Sequence, residues 1–154
     1  VATTYGGELV GRKDVKTFAS LSKRLLVLSL ALGLLISTIY ALFPRPLHGL
    51  LTADPLVLSQ VREVWWLIAL LQVPNALTFV FDGIYFGTKQ FAFLRRRILE
   101  GFFLIFLPLI AFWYMTKGSL LLLWLALIGL YIYRLIGAAW YFCKTSAPTL
   151  RGSD

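Results

Sequence analysis

"LLVLSLALGLLISTIYALF", residues Leu25–Phe43, runs for 19 residues without a charge. A helix rises about 1.5 Å per residue, so such a run is long enough to cross the ~30 Å hydrocarbon core of a bilayer. Three further runs follow. Trp65–Phe86 has 22 residues and one charge, Asp82; Ile98–Met115 has 18, with Glu100 near its start; Ser119–Phe142 has 24, with Arg134 inside it. None shows the alternation and ~10-residue spacing of a membrane barrel, so helices are the expected spanning elements. The fold class is all-α and integral to the membrane: four transmembrane helices, over about 25–43, 65–86, 98–115 and 119–142.

Composition agrees. The chain is 59% hydrophobic, 16% aromatic and only 14% charged, with a mean hydropathy of +0.80. A soluble domain of 154 residues has too little interior to hide that much apolar surface, so lipid must act as solvent. One cysteine and one histidine exclude an internal disulfide and argue against a Cys/His metal site. The net charge of +8 reads as an orientation signal rather than as affinity for nucleic acid. Eleven Lys and Arg residues lie on one side of the spans, from Arg12, Lys13, Lys16, Lys23 and Arg24 through Lys89 and Arg95–Arg97 to Lys144 and Arg151. The other side holds three, Arg45, Arg62 and Lys117. The basic side, with the C-terminus, is therefore placed in the cytoplasm.

Between the spans, Phe43–Arg62 reads as an outer loop in which Pro44, Pro46 and Pro55 stop helices and "TADP" offers a turn or a helix start. "MTKGS" (Met115–Ser119) is short enough only for a tight turn, making the last two spans an antiparallel hairpin. The opening "VATTYGGELVG" (1–11) lacks a methionine and reads as the tail of a fifth, truncated helix, hence as part of a longer protein.

The second span carries the unusual chemistry. On ideal helical geometry with Gln72 at zero, Asn75 falls at about −60°, Phe79 at −20°, Asp82 at −80° and Phe86 at −40°. Gln72, Asn75 and Asp82 thus share a face suited to a hydrated cavity between helices. Pro74 frees the carbonyl of Leu70, which Gln72, Asn75 or water could bond. A lipid-facing Asp would cost at least ~2.5 kcal/mol, so protein or water must cover Asp82. Intramembrane carboxylates mark ion or substrate paths; the bland reading is that Asp82 pairs with a cation or reaches boundary water. Arg134 lies at a depth compatible with both Glu100 and Asp82. A structural ion pair, Arg134–Glu100 or Arg134–Asp82, is the bland account of that arginine. Tyr131, Tyr133, Trp140 and Tyr141 read as packing and interface anchors, and Gly129 and Gly137 as points of close helix approach. The sequence contains no nucleophile–base pair, metal cluster or phosphate loop, so no enzyme activity and no cofactor are expected.

Two segments resemble the MATE (multidrug and toxic compound extrusion) family, particularly its DinF-like branch. "GGELVGRKDVKTF" (6–18) is similar to the end of that family's eighth helix and the basic loop after it. "FDGIYFGTKQFAFLR" (81–95) is similar to its tenth helix, where an Asp precedes a Gly, a basic residue and an Arg. The resemblance covers essentially the whole chain and makes the four runs helices nine to twelve of a twelve-helix, two-lobe transporter. It implies a C-terminal part of an antiporter that exports organic compounds in exchange for H⁺ or Na⁺, in a bacterial inner membrane. Asp82 then matches the acid of the C-terminal lobe's cation site. Glu8 falls in the eighth-helix motif without an assigned role. The implied partners are membrane lipid, a small organic substrate and the absent N-terminal lobe, without which alternating access is not expected. Two other readings stand beside it: a flippase for lipid-linked sugars of the same superfamily, and a small four-span subunit without transport of its own.

Overall fold

The computed structural model describes residues 2–12, 14–51 and 54–151. Every element in it is helical. α1 covers Ala2–Gly11, α2 Val15–Leu42, α3 Pro44–Leu51 and α4 Pro55–Gly87. α5 (Phe91–Gly101) continues through one π-helical turn, Phe102–Phe106, into α6 (Leu107–Thr116), and α7 covers Leu120–Arg151. Four helices are long and apolar enough to cross a membrane: Lys16–Leu42, Pro55–Gly87, Phe91–Thr116 and Leu120–Lys144. The four expected spans are all present, each longer than its apolar run because backbone hydrogen bonding continues through the polar interface.

Local chemistry explains the ends. Asp14 caps α2, its carboxylate accepting from the Thr17 N–H at 3.1 Å. Asp54 caps α4 through the Leu56 N–H at 2.8 Å, with Pro55 in the first turn, where its missing donor costs nothing. The outer segment is thus more helical than a Phe43–Arg62 loop. Pro44 opens α3 instead of only closing α2, and α4 starts seven residues before Arg62. "MTKGS" does form a tight turn, with Lys117 in the left-handed region (φ 49°) and the Gly118 N–H bonded to the Trp113 carbonyl at 3.1 Å. The π-helical turn precedes Pro108; the Leu107 N–H reaches back five residues to the Phe102 carbonyl, and the wider turn relieves the clash of the proline ring with the preceding carbonyls.

Glycines set the register. α2 and α4 run antiparallel, with Leu26 against the Phe81 cluster, Gly33 against Val73 and Gln72, and Tyr40 stacked on Trp65. A Cβ on Gly33 would lie 3.0 Å from the Val73 Cα, so the two backbones touch there. A Cβ on Gly7 would lie 2.9 Å from the Gly87 carbonyl oxygen, which seats α1 on the end of α4. α5–α6 and α7 are likewise antiparallel: Gly137 lies against Arg97, Gly101 against Leu130 and Tyr133, and Gly129 against Ile105. α4 and α7 consequently run in the same direction, which brings Asp82 and Arg134 to one depth. Below them Phe81, Tyr85, Leu94 and Ala138 form a buried cluster at the basic end, closed by Phe93, Tyr141 and Phe142.

Candidate functional site

Arg134 and Asp82 meet. The Arg134 guanidinium donates to the Asp82 carboxylate at 2.7 Å, with side chains only 18% and 23% exposed. Arg134 also lies over the Tyr131 ring, 6.0 Å from its centroid. Asp82 is five residues from the end of α4, about 7.5 Å at helical rise, so the pair lies inside the hydrocarbon-facing part of the bundle and near the basic end. Each charge is the one expensive residue of its span, and each covers the cost of the other. The carboxylate and guanidinium come from different helices, so the contact reports how α4 and α7 are disposed.

One turn nearer the basic end, the Tyr85 hydroxyl donates to the Ala138 carbonyl at 2.6 Å. Tyr85 also packs edge-on against Phe93 and Tyr141, and those two rings stack at 4.0 Å. This aromatic floor fixes α7 against α4 directly below the ion pair.

The Arg134–Glu100 pair is not formed. Glu100 is held instead by Arg96 at 2.7 Å, Arg97 at 3.2 Å and the Tyr133 hydroxyl at 3.0 Å. The reason is rotational. Tyr133 and Arg134 are neighbours on α7 and point about 100° apart, so the tyrosine faces α5 and the arginine faces α4. Arg97 is clamped further: it bonds Tyr133 at 3.1 Å, lies 5.6 Å from the Phe93 centroid and 5.8 Å from that of Tyr133, and rests on Gly137. In the sequence Arg97 figures only among the basic residues that set the orientation, and this role is not legible there. Gly137, with no side chain where α7 meets Arg97, is the feature of the sequence that goes with it.

Gln72 and Asn75 occupy the same helix but do not join the pair. Gln72 is ten residues from Asp82, about 15 Å along the axis, and its amide donates to the Ile68 carbonyl at 3.0 Å, four residues earlier in α4. It therefore does not serve the Leu70 carbonyl released by Pro74. The Asn75 Oδ1 is buried and accepts no hydrogen bond in the described structure. Thr78 donates to the Pro74 carbonyl at 2.7 Å, a side-chain bond to the turn before it within α4. Glu8 forms an exposed i,i+4 pair with Arg12 at 2.7 Å and takes no part in the buried site.

No curated protein and no solved structure matches the chain. Residues 2–112, well over half of its length, match the MatE family model, and the match takes in α1, α2, the Asp82 helix and most of the third span. The chain, an all-α bundle with four membrane-spanning helices and a charged pair between two of them, belongs to the MatE family.

Proposed function

We propose that this chain forms the C-terminal part of a cation-coupled exporter of organic compounds, with Asp82 as the carboxylate that answers to the coupling ion, H⁺ or Na⁺. The supporting observation is the Asp82–Arg134 contact: an intramembrane carboxylate, partly buried, whose charge is balanced by an arginine on another helix. Arg134 acts as a tethered cation. Protonation of Asp82, or arrival of Na⁺ at its oxygens, supplies from outside the neutralisation that Arg134 supplies from within. The carboxylate then no longer needs the guanidinium, and α4 and α7 are free to separate. An ion that favours the separated arrangement shifts the population toward it by its differential affinity for the two states. Export follows when an organic substrate favours the paired arrangement, so that ion and substrate occupy opposite-facing states in turn.

This reading is supported over a lipid-linked sugar flippase by the same contact. Anionic headgroup transport needs cations free to line a cavity, whereas the arginine within the apolar run of the last span is taken up by Asp82. It rests on a longer protein supplying the second lobe.

The test removes both charges while preserving shape. Asp82→Asn with Arg134→Gln leaves no uncompensated charge in the membrane, so folding is retained. In proteoliposomes holding the complete transporter, ethidium export driven by an imposed H⁺ or Na⁺ gradient is expected to be lost. Gradient-driven export at the wild-type rate in the double variant contradicts the reading and leaves the pair a structural one.

A further inference from the structure

The first turns of α2 carry an open groove of about 390 Å³ lined by Lys16, Thr17, Ser20, Leu21 and Arg24. Relative to Lys16, Ser20 lies at about 40°, Arg24 at 80°, Thr17 at 100° and Leu21 at 140°, so one helix face supplies two cations, two hydroxyls and an apolar wall. Lys23 flanks the groove at about −20°. The nearest acids are accounted for. Asp14 is turned onto Thr17, and Glu8 is paired with Arg12. Among the described residues neither Lys16 nor Arg24 has a carboxylate within ion-pair distance.

Depth decides what fits. The uncharged stretch begins at Leu25, so Arg24 stands at the hydrocarbon boundary and Lys16 lies eight residues, about 12 Å, farther out. That interval covers the headgroup layer of a leaflet, which is roughly 5–8 Å thick. Leu21, facing the groove beside Arg24, offers a contact for the first carbons of an acyl chain. We propose that this groove binds the phosphate headgroup of an anionic glycerophospholipid in the leaflet at the basic end. Arg24 and Lys16 bracket the phosphodiester, Ser20 donates to one of its oxygens, and the chains descend along Leu21. Charge complementarity and depth together favour a lipid over a soluble anion, because a soluble anion gains nothing from a site placed at the acyl boundary.

Nanodiscs of equal phosphatidylcholine and phosphatidylglycerol test this, with the lipids retained by the purified protein counted by native mass spectrometry. The wild type is expected to retain phosphatidylglycerol preferentially. Lys16→Gln with Arg24→Gln is expected to lower that preference about fivefold per cation removed. Ser20→Leu, which fills the groove and leaves both charges, is expected to lower it as well. Both changes lie on exposed positions of α2, and thermal melting in pure phosphatidylcholine discs checks that the fold persists. Lys89→Gln with Arg95→Gln, at a second basic surface, is expected to lower the preference less, because only the unspecific surface attraction is reduced. An undiminished preference in either groove variant overturns the proposal, as does an equal loss in the Lys89/Arg95 control. Stabilisation of the wild type by inorganic phosphate in phosphatidylcholine discs, absent in the groove variants, would assign the site to a free anion and likewise overturn it.

Discussion

Arg134 shows how much a single contact decides. Removing the guanidinium leaves Asp82 partly buried with no cation, and breaking such a pair is expected to cost about 1–3 kcal/mol, given that each side chain keeps about a fifth of its exposure. Arg134→Ala should therefore lower the melting temperature in detergent. Replacing both charges, Asp82→Leu with Arg134→Leu, should recover most of the loss, and a double-mutant cycle measures the difference. Glu8→Gln is the contrast. Its pair with Arg12 is exposed, so the same melting assay should register no more than about 0.5 kcal/mol. Part of this was legible in the sequence: a carboxylate and an arginine inside spans had to be covered, and their depths matched. The partner was not legible between Asp82 and Glu100. That choice depends on the rotation of α7, which is set by Gly137 and Gly129 lying against α5–α6. Gln72 and Asn75 show the limit of reading a shared face as a shared site. Sharing a helical face with Asp82 did not bring them to it, because 15 Å of rise separates the ends of that face.

At the scale of the element, the four spans were readable from apolar length, since lipid leaves the backbone few alternatives. Helix ends were less so. Pro44 reads as a breaker, yet at a helix N-terminus proline is favoured and it opens α3, whereas the helix start offered at "TADP" is where α4 begins. Close packing gives a sharp prediction. Gly33→Val places a side chain against the Val73 backbone and should separate α2 from α4, lowering folded yield strongly. Gly49→Ala, with open space around it in α3, should be neutral or stabilising by up to about 1 kcal/mol. Asp14 adds a pH dependence. Hydrogen bonding to Thr17 holds its carboxyl below the ordinary carboxylate range, so the cap is fully present above that range and is lost as pH falls through the lowered value. Exchange of the Thr17 amide, corrected for its intrinsic rate, should accelerate in that acid window. Asp14→Ala should show the fast rate at neutral pH, and a flat profile in the wild type would remove the cap from the account.

On the scale of the whole molecule, the bundle has two ends of different character. Lys16, Arg24, Lys89, Arg95–Arg97 and Lys144 gather at one end, and α3 lies at the other. The positive-inside rule predicts that the basic end faces the cytoplasm, and cysteine labelling tests it. Cys143, exposed at the basic end, should react with a membrane-impermeant maleimide only after cells are permeabilised. A cysteine placed at exposed Leu50, in a Cys143→Ser background, should react in intact cells. The reverse pattern would invert the topology and, with it, the side from which a coupling ion reaches Asp82.

The most direct measurement is of the Asp82–Arg134 contact itself, under the ions proposed to act on it. With carboxyl carbons and guanidinium nitrogens isotopically labelled, solid-state NMR of the protein in lipid reports dipolar coupling across the pair, identified by its absence in Arg134→Gln. At low Na⁺ and neutral pH the coupling should be present, as the 2.7 Å contact requires. Saturating Na⁺ or acidification should abolish it, because the carboxylate has exchanged a tethered cation for a mobile one. A coupling that survives both conditions unchanged would contradict the account and make the pair a fixed structural tie.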